Sequence, residues 1–216
     1  MTARKPAAAP TAATSRVFLL SPANCGGVRA QLMLSPRAQF DIARQLQSAA
    51  GAPLGEVFTF LSGLYFRGKL GYATAFARPP RGVPGVLVIT PTHGLLLPEQ
   101  PATLDLLREF ASVDVHASNA RYRGPLERDA RLLAERIPAR GEIVLLGSVA
   151  TGKYVDVLGA VFQNRLRFPA EFVGRGDMSR GGLLLRCVRE RRELEYVPVA
   201  GASRHGPRPP RLAPSR

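Results

Sequence analysis

The chain has only two cysteines among 216 residues, Cys25 and Cys187, and only three histidines, His93, His116 and His205. Two thiols 162 positions apart form neither a disulfide framework nor the paired spacing of a metal site, and so few histidines leave no nitrogen ligand set. We therefore expect no metal and no cofactor, and a reducing compartment. Long apolar runs are missing as well. The runs present, such as residues 17–20, 86–89 and 94–97, are a handful of residues each, far below the ~20 residues of a membrane helix. Before Val17 the chain is interrupted by Pro, Thr, Ser and Arg, which excludes a secretory core, and Pro6 and Pro10 break any amphipathic transit helix. The expectation is a soluble cytoplasmic protein with no membrane partner.

Acids and lysines are scarce too. Sixteen Asp and Glu face 30 Lys and Arg, and just three of the bases are lysines, Lys5, Lys69 and Lys153. The resulting net charge of +14 points toward polyanions, nucleic acid first. Its distribution is informative: residues 1–16 and 201–216 contain seven bases and no acid, so the ends carry half of the charge. Both ends are rich in Ala, Pro and Thr or in Pro and Arg, and bury too little apolar surface to offset chain entropy. Residues 1–15 and 201–216 are expected to be disordered basic tails around one domain over 16–200.

That domain alternates strand and helix patterns, the signature of a three-layer α/β fold with a mostly parallel central sheet. Fully apolar strands are predicted over 17–20, 86–90 and 142–146, and a last strand over 194–199. Helical spacing predicts helices over 36–50, 103–111, 125–137, 153–164 and 178–188, with Pro125 in a first turn. The apolar, aromatic stretch 55–77 contains Gly63, Gly68 and Gly71 and reads as helix in broken pieces, whose aromatics are core in preference to a base-stacking surface. Residues 168–176 read as loop.

In such sheets ligands sit beyond the C-terminal strand ends, where helix N-termini also point. The segments there are Ser21-Pro-Ala-Asn-Cys-Gly-Gly27, Thr90-Pro-Thr-His-Gly94 and Gly147-Ser-Val-Ala-Thr-Gly-Lys-Tyr154. Ser21 and Asn24 offer hydrogen bonds, Cys25 a thiol, and His93 an imidazole suited to proton transfer. The third segment has the first seven positions of a phosphate-binding Walker loop, with Lys153 as its cation, but Tyr154 where Ser or Thr should hold Mg²⁺. A plain strand-to-helix turn is the competing account. Arg175-Gly-Asp-Met-Ser-Arg180 combines two possible phosphate-binding arginines with Asp177, which is equally suited to cap a helix.

Taken in order, Ser21-Pro-Ala23, Leu61-Ser-Gly-Leu-Tyr65, His93-Gly-Leu-Leu-Leu-Pro98, Gly147-Ser148 with Lys153, and Arg175 to Arg180 resemble the YaaA-like peroxide-stress family and its smaller uncharacterised relatives. More distantly the chain is similar to uracil-DNA-glycosylase-like and tRNA base-exchange accessory domains. Asn24 stands where that family's first loop carries Lys. The resemblance implies a compact α/β protein that binds DNA, in preference to RNA, in oxidative-stress protection or DNA maintenance, with no defined reaction. The expected ligand or phosphate site is Ser21, Asn24, His93, Ser148, Lys153, Arg175 and Arg180. The alternative is an enzyme cleaving or exchanging the glycosidic bond of nucleosides or modified bases, with His93 and Asp177 as catalytic candidates. A third is a P-loop-like nucleotide binder.

Overall fold

A computed structural model of the chain describes residues 14–210. Residues 1–13 and 211–216, which hold most of the expected N-terminal tail and the end of the C-terminal one, lie outside the described residues. The first strand, β1 (Arg16–Leu20), is buried along its whole length, as its unbroken apolar run requires. It pairs in parallel with β3 (Val86–Ile89) on one side and β6 (Glu142–Leu146) on the other, with Phe18 opposite both Val86 and Val144. Beyond β6 lies β7 (Leu166–Pro169), again parallel. Short antiparallel strands close both edges, β4 (Leu95–Leu96) on β3 and β8 (Tyr196–Pro198) on β7. The order is β4-β3-β1-β6-β7-β8. A separate two-residue ladder joins β2 (Ala52–Pro53) to β5 (Pro101–Ala102).

The helices form layers on this sheet. The apolar stretch 55–77 becomes α3 (Leu54–Ser62) and α4 (Leu64–Phe76), divided at Gly63, whose φ of +58° glycine tolerates best. α4 packs on β1 and β3 and lies along α8 (Asp177–Glu190), while α6 (Ala120–Arg136) lies along α7 (Gly152–Phe162), which covers β7. With this strand order, the right-handed rule for parallel crossovers assigns the two helix pairs to opposite faces, which is the three-layer α/β architecture.

Several boundaries differ from those expected. The predicted helix over 36–50 contracts to α2 (Asp41–Gln47), and Ala50 is exposed. A helix precedes it, α1 (Val28–Leu34), with Ala30 and Met33 buried and Val28 and Leu32 left in solvent, so its apolar pattern does not follow one face. α5 (Leu104–Ala111) starts at Thr103, whose hydroxyl accepts from Leu106 N. α6 begins five residues before Pro125, because Asn119 caps it by accepting from Arg121 N. Pro125 is thus an interior residue. Residues 166–169, read in part as loop, are the strand β7. Arg16, counted among the tail's charges, is 9 % exposed inside β1, where it pairs with Glu142 at 2.6 Å and with Glu193. Residues 201–210 have neither helix nor strand, and Arg175 Nη1 donates to Pro210 O at 3.4 Å. No described helix is long and apolar enough to cross a membrane.

Candidate functional site

From β1 the chain crosses to β3 on one side, and from β3 it returns across β1 to β6 on the other. β1 and β6 are therefore the adjacent strands from which the connections diverge, and a crevice opens beyond their C-terminal ends. A cavity of about 740 Å³ occupies that crevice. Its walls come from the segments after β1 (Ser21 to Gly26) and after β6 (Ser148, Lys153, Tyr154), from residues 61–65 where α3 gives way to α4, from residues 110–115 at the end of α5, and from Asp177 at the start of α8.

Ser21 forms the floor. Its backbone N–H donates to Leu146 O at 3.1 Å, which carries the β1–β6 pairing one residue past the strand, and the residue is buried. Beneath it lies Lys69, 1 % exposed, whose Nζ donates to Ser21 O at 2.5 Å and Ser21 Oγ at 2.8 Å. The ammonium also stands 4.6 Å from the ring centre of Tyr65 and 4.8 Å from that of Phe66. It makes no ion pair among the described residues. Burial therefore drives Lys69 down to about 7, a shift that the charge of Asp177 opposes and that of Arg180 reinforces.

What brings these groups together is the crossing of α4 and α8. Gly68 and Gly181 face each other there, and a Cβ on Gly181 would stand 2.8 Å from Leu64 O and Tyr65 Cα. The absence of side chains lets the two backbones approach until Arg180 and Asp177 of one helix stand beside Tyr65 and Lys69 of the other. The Tyr65 hydroxyl is buried and donates to no acceptor, and the neighbouring Arg180 guanidinium favours its ionised form. Burial, the larger influence, holds that hydroxyl well above the ordinary tyrosine range. Tyr154, mostly buried beside Ser21, is pushed up to about 12, first by burial and then by Asp177, with Ser21 acting in the opposite sense.

Of the expected site residues, Ser21, Asn24, Ser148, Lys153 and Asp177 line this one cavity. Asn24 Oδ1 accepts from Gly26 N at 3.0 Å, closing the turn and leaving its amide nitrogen for a ligand. Lys153 is exposed at the rim. His93 does not line it. Its imidazole is exposed, 2.8 Å from Thr92 Oγ1 and 3.8 Å from Glu109, while Thr90 Oγ1 accepts from the His93 N–H and donates to Gly94 O. The Thr-Pro-Thr-His-Gly segment is thus a self-bonded turn.

The two arginines also lie off the cavity wall. Arg175 donates to Glu171 O and Ser179 Oγ. Arg180 is buried, donates twice to Phe172 O, and pairs with Asp177 at 3.5 Å. Both are committed to holding the turn before α8. Cys25 is buried with its thiol donating to Ala23 O, and burial pushes it up to about 12, which makes it a packing residue and not a nucleophile. None of residues 147–152 adopts positive φ, so the Walker-like segment lacks the alternating right- and left-handed backbone of a phosphate nest. Gly147 has another use: a Cβ there would stand 2.8 Å from Ser21 Cβ.

Sequence reasoning missed Lys69 and Tyr65. Tyr65 entered only as part of a motif and as core. The available signal for Lys69 was its type: a lysine inside an apolar helix of a chain whose cations are otherwise almost all arginine. Among the described residues no group of three or more His, Cys, Asp or Glu side chains is arranged to hold a metal.

The fold and the cavity define an α/β protein with a polar site at its topological switch point. No protein-family model matches the chain, and no curated protein or solved structure does so either.

Proposed function

We propose that the chain binds a nucleotide-like ligand in the switch-point cavity, either free or as one unstacked nucleotide of a nucleic-acid strand, and that it does so in the cytoplasm. The observation that carries this reading is the cavity itself. Its volume of about 740 Å³ falls in the range of small-ligand sites, and Asn24, Ser148 and Lys153 supply convergent polar groups. Lys153 meets phosphate at the rim, while Asn24 and Ser148 bond base or sugar. The resemblance to the YaaA-like family supports DNA ahead of RNA and a role in oxidative stress or DNA maintenance.

The test is a titration of nucleosides, nucleoside monophosphates and short single- and double-stranded DNA and RNA at ~50 and ~200 mM salt. Ser148→Trp, which fills the cavity, should abolish binding of every monomeric ligand. Lys153→Ala should weaken phosphate-bearing ligands about tenfold and leave nucleosides unchanged, as expected for one charge-assisted contact. Absence of binding by the wild-type protein at low salt for all of these ligands would end the proposal.

One observation favours the enzymatic alternative: the Asp177 carboxylate lines the same cavity. Turnover of a nucleoside panel that is lost in Asp177→Asn would establish it. The P-loop alternative loses its geometric support with the nest, since Lys153 then acts as a single surface cation.

A further inference from the structure

The contact between Ser21 and Lys69 has the makings of chemistry that ligand binding does not need. We infer that Ser21 and Lys69 form a nucleophile–base pair for acyl transfer, in which Ser21 Oγ attacks the carbonyl carbon of an ester or amide held in the cavity and Lys69 Nζ takes the hydroxyl proton. The two atoms are 2.8 Å apart, within the reach such a pair requires. Ser21 is on the cavity wall and Lys69 is behind it, so the nucleophile faces the substrate while the base is kept dry. Serine–lysine pairs of this kind recur among hydrolases on unrelated folds.

Two further features suit the groups to these roles. Ser21 O, 2.5 Å from Nζ, receives one N–H of the neutral amine, which leaves the nitrogen lone pair free to accept the Ser21 hydroxyl. The faces of Tyr65 and Phe66, 4.6 and 4.8 Å away, stabilise the ammonium once the proton has moved. Gly147 completes the arrangement, since any side chain there would press on Ser21 Cβ.

The steps balance with water as co-reactant. Attack forms the Ser21 Oγ–carbon bond and opens the carbonyl π bond. Collapse expels the alcohol or amine, which leaves with the proton from Lys69, and yields acyl-Ser21. Water then attacks this ester, giving its proton to Lys69, and collapse releases the carboxylic acid and returns the proton to Ser21 Oγ. Asn24, Ser148 and Lys153 around the nucleophile select a compact polar acyl compound over a long apolar one.

The full chain is treated with p-nitrophenyl acetate and, separately, with a fluorophosphonate, and the adduct is mapped by mass spectrometry. One adduct is expected, on Ser21, forming at a rate that rises with pH through an inflection near 7, where Lys69 loses its proton. The titratable and charged groups that face Lys69 and Ser21 from neighbouring elements are Tyr154, Asp177 and Arg180. Ser21→Ala should remove the adduct. Lys69→Met should slow labelling about 100-fold and abolish the inflection. If Lys69→Met does not fold, the wild-type pH profile decides. An unlabelled Ser21 in the folded wild-type protein, or labelling with no inflection between about pH 6 and 8, would overturn the inference and leave Lys69 as a tie between α4 and β1. Neither reagent is a nucleotide, so the outcome is independent of the binding proposal.

Discussion

Gly181→Val should lower stability by about 3 kcal/mol, the upper part of the range for overpacking a close contact. The cause is specific. A Cβ at this position meets Leu64 O and Tyr65 Cα at 2.8 Å, and both belong to the backbone of α4, which has no rotamer through which to yield. The helices must part, and with them the groups they bring together, so ligand binding and Ser21 reactivity should fall as well. Chemical denaturation measures the stability loss. Gly71→Ala, on the partner helix α4, is the control: nothing lies within 4 Å of a Cβ there, so that substitution should stabilise by up to about 1 kcal/mol. Equal effects of the two substitutions would show that the α4–α8 approach is not the constraint we describe.

Lys69→Met should change how stability depends on pH. Lys69 in the fold titrates at about 7 against 10.5 in the open chain, so between these values the unfolded chain holds a proton that the native protein does not. Unfolding then takes up a proton, and raising the pH favours the fold, from about 7 upward. The usable window ends near pH 8.5. Above it the unfolded chain begins to lose protons from Cys25, and higher still from tyrosines such as Tyr65 and Tyr122 whose hydroxyls burial holds protonated, which has the opposite sign. Across about pH 7 to 8.5 the stability difference between wild type and Lys69→Met should grow in favour of wild type by about 1 to 2 kcal/mol. A difference that is flat with pH would mean that Lys69 keeps an ordinary pKa in the fold.

The parallel core of the sheet was legible because β1, β3 and β6 each contain an unbroken run of four apolar residues, which a strand buried on both faces demands. β7 escaped because it is four residues long, includes Arg167 and ends at Pro169. Its identity comes from pairing with β6 and not from local pattern. α1 escaped because only Ala30 and Met33 are buried among its seven residues. For the site, position relative to strand ends was sufficient to find Ser21, Asn24, Ser148 and Lys153. It was insufficient for Arg175 and Arg180, whose guanidinium groups are taken by the carbonyls of Glu171 and Phe172, contacts that no spacing in the chain foretells. Lys69 and Tyr65 come from the middle of the fold's first crossover and reach the site through the glycine contact between α4 and α8. That is a tertiary event, invisible to periodicity.

The charge of +14 also divides differently once the partners are known. Arg16 is neutralised inside the sheet by Glu142 and Glu193, and Glu127 pairs with both Arg123 and Arg131 on the surface of α6. The cations that bear on the site are two lysines, one exposed at its rim and one buried under its floor.

Hydrogen–deuterium exchange of the full chain, with and without the best-binding nucleotide or single strand from the titration, tests the central claim most directly. If the switch-point cavity is the ligand site, protection should fall on the peptides that line it, covering residues 21–26, 61–65, 110–115 and 148–154. Protection along the arginine-rich helix Ala120–Arg136, with those loops unchanged, would contradict it.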